Sequence, residues 1–178
     1  MITLGLDVGF ASLGWALFVG DRLDMLGVIV TEAQGGETSS EGLMRRSRAI
    51  AYDLRAILRA DRPVMVVMES VSWPRSGSVI GKIGAAYGAV SAAIGCEQPC
   101  AGVLHLSPQA VRKGLGLGKG ADKDAILTAV REAPGCERLD ELLAGVRTKA
   151  LRRHPTDACA VVLAARALRQ ADAAALCG

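Results

Sequence analysis

The chain has 178 residues, with 21 Lys or Arg against 18 Asp or Glu for a formal net charge of +3; 51% of its residues are hydrophobic and 3% aromatic. That length suits one domain, and so apolar a chain can bury roughly two thirds of its unfolded surface, which excludes a disordered or fibrous protein. The mild positive charge permits a nucleic-acid partner without requiring one.

Gly, Arg or Asp interrupts each apolar run before the ~18 residues of a membrane span, and the N-terminus lacks a basic region with a cleavage site, so a soluble cytoplasmic protein without membrane contact is expected. Residues 2–8, 13–19 and 23–31 read as strands, and their connections are short enough to make them antiparallel neighbours in a meander. The first is an apolar run that ends on Asp7 and then Gly9, so a carboxylate sits at a tight reversal within reach of a ligand. Thr38 to Glu41 offers N-cap residues with early acid, and Leu43, Ile50, Leu54, Ile57 and Leu58 recur at helical spacing to about Ala60. Arg45, Arg46, Arg48, Arg55 and Arg59 occupy the other faces, as a solvated surface or a DNA contact.

Pro63 starts a strand over 64–68 that is apolar on both faces and therefore central; it ends on Glu69. Two strand-end acids on neighbouring strands would repel unless a proton or a cation relieved them. A loop over 70–77 leads to a helix from about Ser78 to Ile94. One stripe of it carries Val79, Ile80, Ile83, Tyr87, Val90 and Ile94, and another is built of small residues, for tight packing on the sheet or self-association. A strand over 102–106, a short helix over 109–113, a glycine- and lysine-bearing loop over 114–120 and a helix opening at 121–123 follow. Residues 134–150 suggest a helical turn and a loop with Arg138, Arg147 and Lys149, and a final helix runs from His154 through Leu168. Cys96, Cys100, Cys136, Cys159 and Cys177 are irregularly spaced; no second pair follows Cys96 and Cys100 at finger spacing, so buried thiols are expected rather than a zinc centre beside His105.

His154 and Asp157 lie three apart at a helix start with Pro155 in its first turn, so they project from one side. With Asp7 and Glu69 they form a set that could converge at one sheet edge. Oxygen-rich donors suit magnesium or manganese, and two such ions ~4 Å apart support phosphodiester hydrolysis. No nucleophile-elbow serine is present, and 114–120 lacks the Walker spacing.

Leu6-Asp7-Val8-Gly9, Val66 to Glu69, Lys82 to Ala89, Pro108 to Lys113, Gly120 to Lys123 and His154 to Ala158 together resemble, in order and spacing, the RuvC Holliday-junction resolvases. The resemblance implies an α/β, ribonuclease H-like fold: a five-stranded mixed sheet, an antiparallel three-strand meander plus two parallel strands, flanked by helices as a single nuclease domain over 1–178. It implies a bacterial or phage homodimer that nicks opposed strands of a four-way DNA junction with Mg2+ or Mn2+, two per site, leaving 5′-phosphate and 3′-hydroxyl ends. Asp7, Glu69 and Asp157 would then be metal ligands, and His154 would fill a position more often held by a carboxylate, a change that could favour manganese. Lys113 and Lys123 match basic positions used on DNA, joined by Arg112, Lys119, Lys82 and Arg75. An aromatic ring often follows the second acid by three residues in this family; here that residue is Ser72 and the ring is Trp73, which could stack on a base or pack under its loop. A nuclease for forks, flaps or structured RNA and a non-catalytic junction-binding scaffold remain alternatives. No protein partner, such as a branch-migration motor, follows from the sequence.

Overall fold

The structure, a computed structural model, describes residues 1–71 and 76–177. β1 (Ile2–Asp7), β2 (Ser12–Val19) and β3 (Arg22–Val30) form the expected meander; β4 (Met65–Glu69) and β5 (Gly102–Leu106) complete a sheet of order β3-β2-β1-β4-β5. β1 is antiparallel to β2 and parallel to β4, and β4 is parallel to β5. The expected α/β mixed sheet is therefore present, with the acid-bearing strands β1 and β4 side by side in its middle.

Alternation along these strands divides the core into two layers. Leu4, Leu6, Leu17, Val66 and Met68 face α1 (Ser39–Asp61) and α2 (Gly77–Glu97). Ala16, Phe18 and Val67 face the other layer, built by α3 (Pro108–Gly114), α4 (Lys123–Glu132), α5 (Leu139–Ala144) and α6 (Arg153–Cys177). The Asp7 and Glu69 positions share parity with that second face, so both acids emerge beneath α6.

Local chemistry explains the helix limits. At α1, the Thr38 hydroxyl accepts from the Glu41 N–H and the Glu41 carboxylate accepts from the Thr38 N–H, a complete capping box. Arg62, at φ 48°, closes that helix just before Pro63. α6 seats on the sheet through small residues: Ala158, Cys159, Ala160 and Val162 are fully buried. A Cβ at Gly5 would lie 2.1 Å from the Ala158 carbonyl oxygen, and one at Gly14 2.1 Å from the His154 carbonyl carbon, so glycine at both positions lets the helix lie directly on β1 and β2.

Several expectations change. α6 extends to Cys177 and the 134–150 stretch contains α5, a full helix of six residues. Arg45, Arg46, Arg55 and Arg59 are structural ties and not simply a solvated face. Arg45 pairs with Glu37, Arg46 donates to the Thr31 hydroxyl at 2.9 Å over the Phe10 ring, and Arg55 and Arg59 share Glu97. The buried face of α2 is Ala86, Ala89, Val90, Ala93 and Ile94, while Val79 and Ile80 are exposed. Cys96 and Cys100 are also exposed, because they fall at the solvent side of the α2 end and the turn after it; Cys136 and Cys159 are buried as expected, and the Cys177 side chain lies outside the described set. By length and composition α2 could cross a bilayer, with a mean hydropathy of 1.4 over its apolar stretch, contrary to the reading that each run is interrupted. Its glycines break the apolar spelling without ending the helix.

Candidate active site

Asp7 ends β1 and Glu69 ends β4, and the register places Leu6 beside Met68, one residue short of the two acids. Carboxyl ends of adjacent parallel strands are where an open α/β sheet offers a ligand crevice. The α6 start brings two more side chains over them. His154 Nδ1 lies 2.6 Å from Asp7 Oδ2, so the ring donates to the carboxylate through Nδ1. Gly14 is the register partner of Asp7 on β2, and its bare Cα makes the room that the His154 backbone occupies.

Asp157 follows one turn later and is mostly buried, with Lys123 Nζ 3.8 Å from its Oδ2. Burial first, then the charge of Asp7, pushes its carboxyl up to about 6, against the pull of Lys123, His154 and Arg153. Glu69 is likewise held above its ordinary value by burial, then by Asp7 and Asp157, while Arg112 and Lys123 act the other way. The three carboxylates thus feel one another across the strand ends, as like charges in a part-dry site do.

Tyr87 completes the pocket, a cavity of about 140 Å³ lined by Asp7, Glu69, Ser70 and Ile83 among others. Its hydroxyl donates to the Glu69 backbone carbonyl at 2.7 Å, and burial with the nearby acids pushes its pKa to about 12. Among the described residues, no three His, Cys, Asp or Glu donors are already drawn close enough to chelate an ion. The donor set nevertheless fits a hard divalent cation: oxygen-rich, mutually repelling and partly dehydrated.

No family model matches the chain. Among solved structures it is similar to Thermus thermophilus RuvC in complex with a Holliday junction substrate, at a TM-score of 0.68 and 22% identity over 96% of both chains. A second Thermus thermophilus RuvC structure aligns with a TM-score of 0.68 and 23% identity over 97% of both. The chain has the RuvC fold. The yeast mitochondrial Holliday junction resolvase Ydc2 shares it at a TM-score of 0.60 and 12% identity, over 91% of this chain and 76% of that one.

Within this RuvC fold, the sequence-predicted residues separate into groups. Asp7, Glu69, His154 and Asp157 lie at one end of the sheet, and Lys123 and Arg112 lie close enough to act on their charges. Arg112 has its Nε buried without a hydrogen-bond partner, an unspent donor beside Glu69. Lys82, Lys113 and Lys119 are exposed and form no ion pair with the acids. Trp73 and Arg75 lie outside the described residues. Tyr87 is the site residue that sequence reasoning put in the core stripe; its position four residues after Ile83 on the face turned to β4 is the signal that could have found it.

Proposed function

We propose that the chain is a divalent-metal-dependent endonuclease that resolves four-way DNA junctions by paired nicks. The observation that carries this reading is the convergence of Asp7, Glu69 and Asp157 at the ends of β1 and β4 under α6, with their charges opposed by Arg112, Lys123, His154 and Arg153. The RuvC fold supports the substrate class, one of those neighbours being a complex with a junction.

Asp7, Glu69, Asp157 and His154 would hold one or two Mg2+ or Mn2+ ions. Bound there, the metal would supply a water of lowered pKa and neutralise charge on the leaving 3′ oxygen. The chain's own groups have distinct tasks. Donation from Nδ1 to Asp7 fixes the His154 ring and leaves Nε2 as its free nitrogen, the arrangement in which a carboxylate orients an imidazole and raises its basicity. A nitrogen donor and one fewer negative charge favour manganese over magnesium. Lys123 and Arg112 hold the scissile phosphate against the repulsion of the acids, and the desolvated Arg112 Nε is the stronger of the two for that reason. Lys82, Lys113 and Lys119, with Arg75 and Trp73, extend the DNA contact.

Paired nicks need two copies, and α2 offers the surface. At Gly84, Gly88 and Gly95 an added Cβ would meet nothing within 4 Å, next to exposed Val79 and Ile80. The proposed homodimer joins through this open face.

A labelled immobile four-way junction, incubated with Mg2+, Mn2+ or chelator beside a linear duplex of the same sequence, tests the reading. Paired symmetrical cuts on the junction alone are expected; cutting of forks, flaps or structured RNA equally well would replace it with a general structure-selective nuclease. The second reading, a non-catalytic junction-binding protein, draws on the absence of a ready chelating group of three donors among the described residues. It requires binding without cutting under either metal.

A further inference from the structure

Apart from the acid pocket, a cleft of about 430 Å³ lined in part by Asp157 opens between α4, α5 and the start of α6. Its walls carry Lys123, Arg131, Lys149, Arg152 and Arg153. Arg131 is committed, with both nitrogens on Asp140 at 2.9 Å, and Lys123 faces Asp157. Lys149, Arg152 and Arg153 have no ion-pair partner among the described residues; of the lining acids, Asp140 is held by Arg131, Asp157 faces Lys123 and feels the charge of Arg153, and Asp124 forms no ion pair. Arg152 Nε donates to the Val146 carbonyl at 3.4 Å, which ties its guanidinium to the loop between α5 and α6. Leu127 and Leu143 add apolar wall.

Unpaired cations around a concavity with an apolar side match a phosphate linked to a sugar, and guanidinium forks match phosphate oxygens best. The volume lies in the range of small-ligand sites and gives room for one nucleotide unit. Because Asp157 and Lys123 belong to both the cleft and the acid cluster, an anion seated here is continuous with one seated over Asp7 and Glu69. A polymer satisfies both positions at once.

We propose that this cleft seats a backbone phosphate of the cleaved DNA strand, one that flanks the scissile phosphate, so that α5 and residues 145–153 extend the DNA surface beyond the acid site. The assignment rests on the nuclease reading. It gives Lys149, Arg152 and Arg153 the task of fixing the strand's path and hence which linkage lies over the acids.

The test uses Asp7→Asn protein, which binds without cutting, and a four-way junction carrying a single uncharged methylphosphonate moved along the strand one linkage at a time. In this parent, neutralising one or two consecutive linkages beside the scissile position weakens binding about tenfold. Adding Lys149→Ala and Arg153→Ala weakens the unmodified junction similarly, flattens the salt slope by about two units and makes those same methylphosphonates silent. Equal methylphosphonate costs in parent and variant would overturn the proposal, because the cations would then act only as general charge. Lys149→Met alone, at an exposed loop position, repeats the comparison should the combined variant melt early. Inorganic phosphate or a 5′-mononucleotide that occupies the cleft in the parent, without any loss of junction affinity in the variant, would assign it to a small anion and overturn the strand. A parent that binds no junction would instead sink the nuclease reading, and the cleft assignment with it.

Discussion

Gly14→Ala is a one-methyl change that reaches the site from behind. The new Cβ would stand 2.1 Å from the His154 carbonyl carbon, 2.2 Å from its oxygen and 2.7 Å from its Cβ. Carbon atoms pack at about 3.5 Å, so the α6 start must rise by about 1.4 Å, the difference between 3.5 and 2.1 Å. The His154 to Asp7 contact, now 2.6 Å, would open to about 4 Å, outside hydrogen-bond range. Overpacking of this kind costs about 1–3 kcal/mol, and at about 2–4 °C per kcal/mol for a chain this long the melting temperature should fall by about 2–12 °C. Thermal unfolding by circular dichroism measures it, with Gly35→Ala as control, since nothing lies within 4 Å of a Cβ there. Junction nicking should fall in the same variant, because His154 and Asp157 ride on the displaced turn. A melting temperature within a degree of wild type, with nicking retained, would refute the claim that close seating of α6 builds the site.

The raised carboxyl of Asp157 sets a pH dependence. Its proton is kept in the folded state up to about pH 6 against an ordinary 3.8, so the associated stability is complete below about pH 4 and lost as the pH rises through 6. Asp157→Asn should therefore be more stable than wild type at pH 8 without metal, by on the order of 1–3 kcal/mol in urea titrations, and no different at pH 4; equal stability at pH 8 would contradict the burial argument. Millimolar Mn2+ or Mg2+ should raise the wild-type melting temperature, and Asp7→Asn should erase most of that rise; a rise unchanged by the substitution would move the ion elsewhere. Lys123→Ala should weaken junction binding and flatten its salt slope by about one unit, and an unaltered slope would remove Lys123 from the DNA surface. Gly88→Gln on the open face of α2 should convert a dimer to a monomer in sedimentation with the fold kept, whereas an unchanged dimer would place the interface on another surface.

Asp7 and Glu69 were legible because an apolar strand that ends on an acid is locally costly and so conspicuous. The short connection makes β1 and β2 neighbours, but the pairing of β1 with β4 is a long-range parallel contact across a helical crossover, which no local signal specifies. The Thr38 capping box was equally local. What escaped the sequence depends on distant partners: Glu37, Thr31 and Glu97 convert the α1 arginines into ties, and Glu97 is 42 residues from Arg55. α5 was obscure because it is six residues long and Arg138 provides no side-chain cap. Arg112 and Lys113 looked alike in a basic stretch, yet neighbours on a helix point ~100° apart, and Arg112 is the one that acts on Glu69. The cleft beside Asp157 could not be read because Lys123, Arg131 and Lys149 meet only once α4 has packed on α6 and α5 on β3.

The His154 to Asp7 contact spans 147 positions of chain. During synthesis, β1 and β4 can pair long before α6 exists, so a nascent chain holds Asp7 and Glu69 but neither His154 nor Asp157. Every helix from α1 to α5 must be made before His154 and Asp157 arrive. Under the proposed nuclease function, truncated or stalled translation products would carry half a site, and docking of α6 would be the step that completes it.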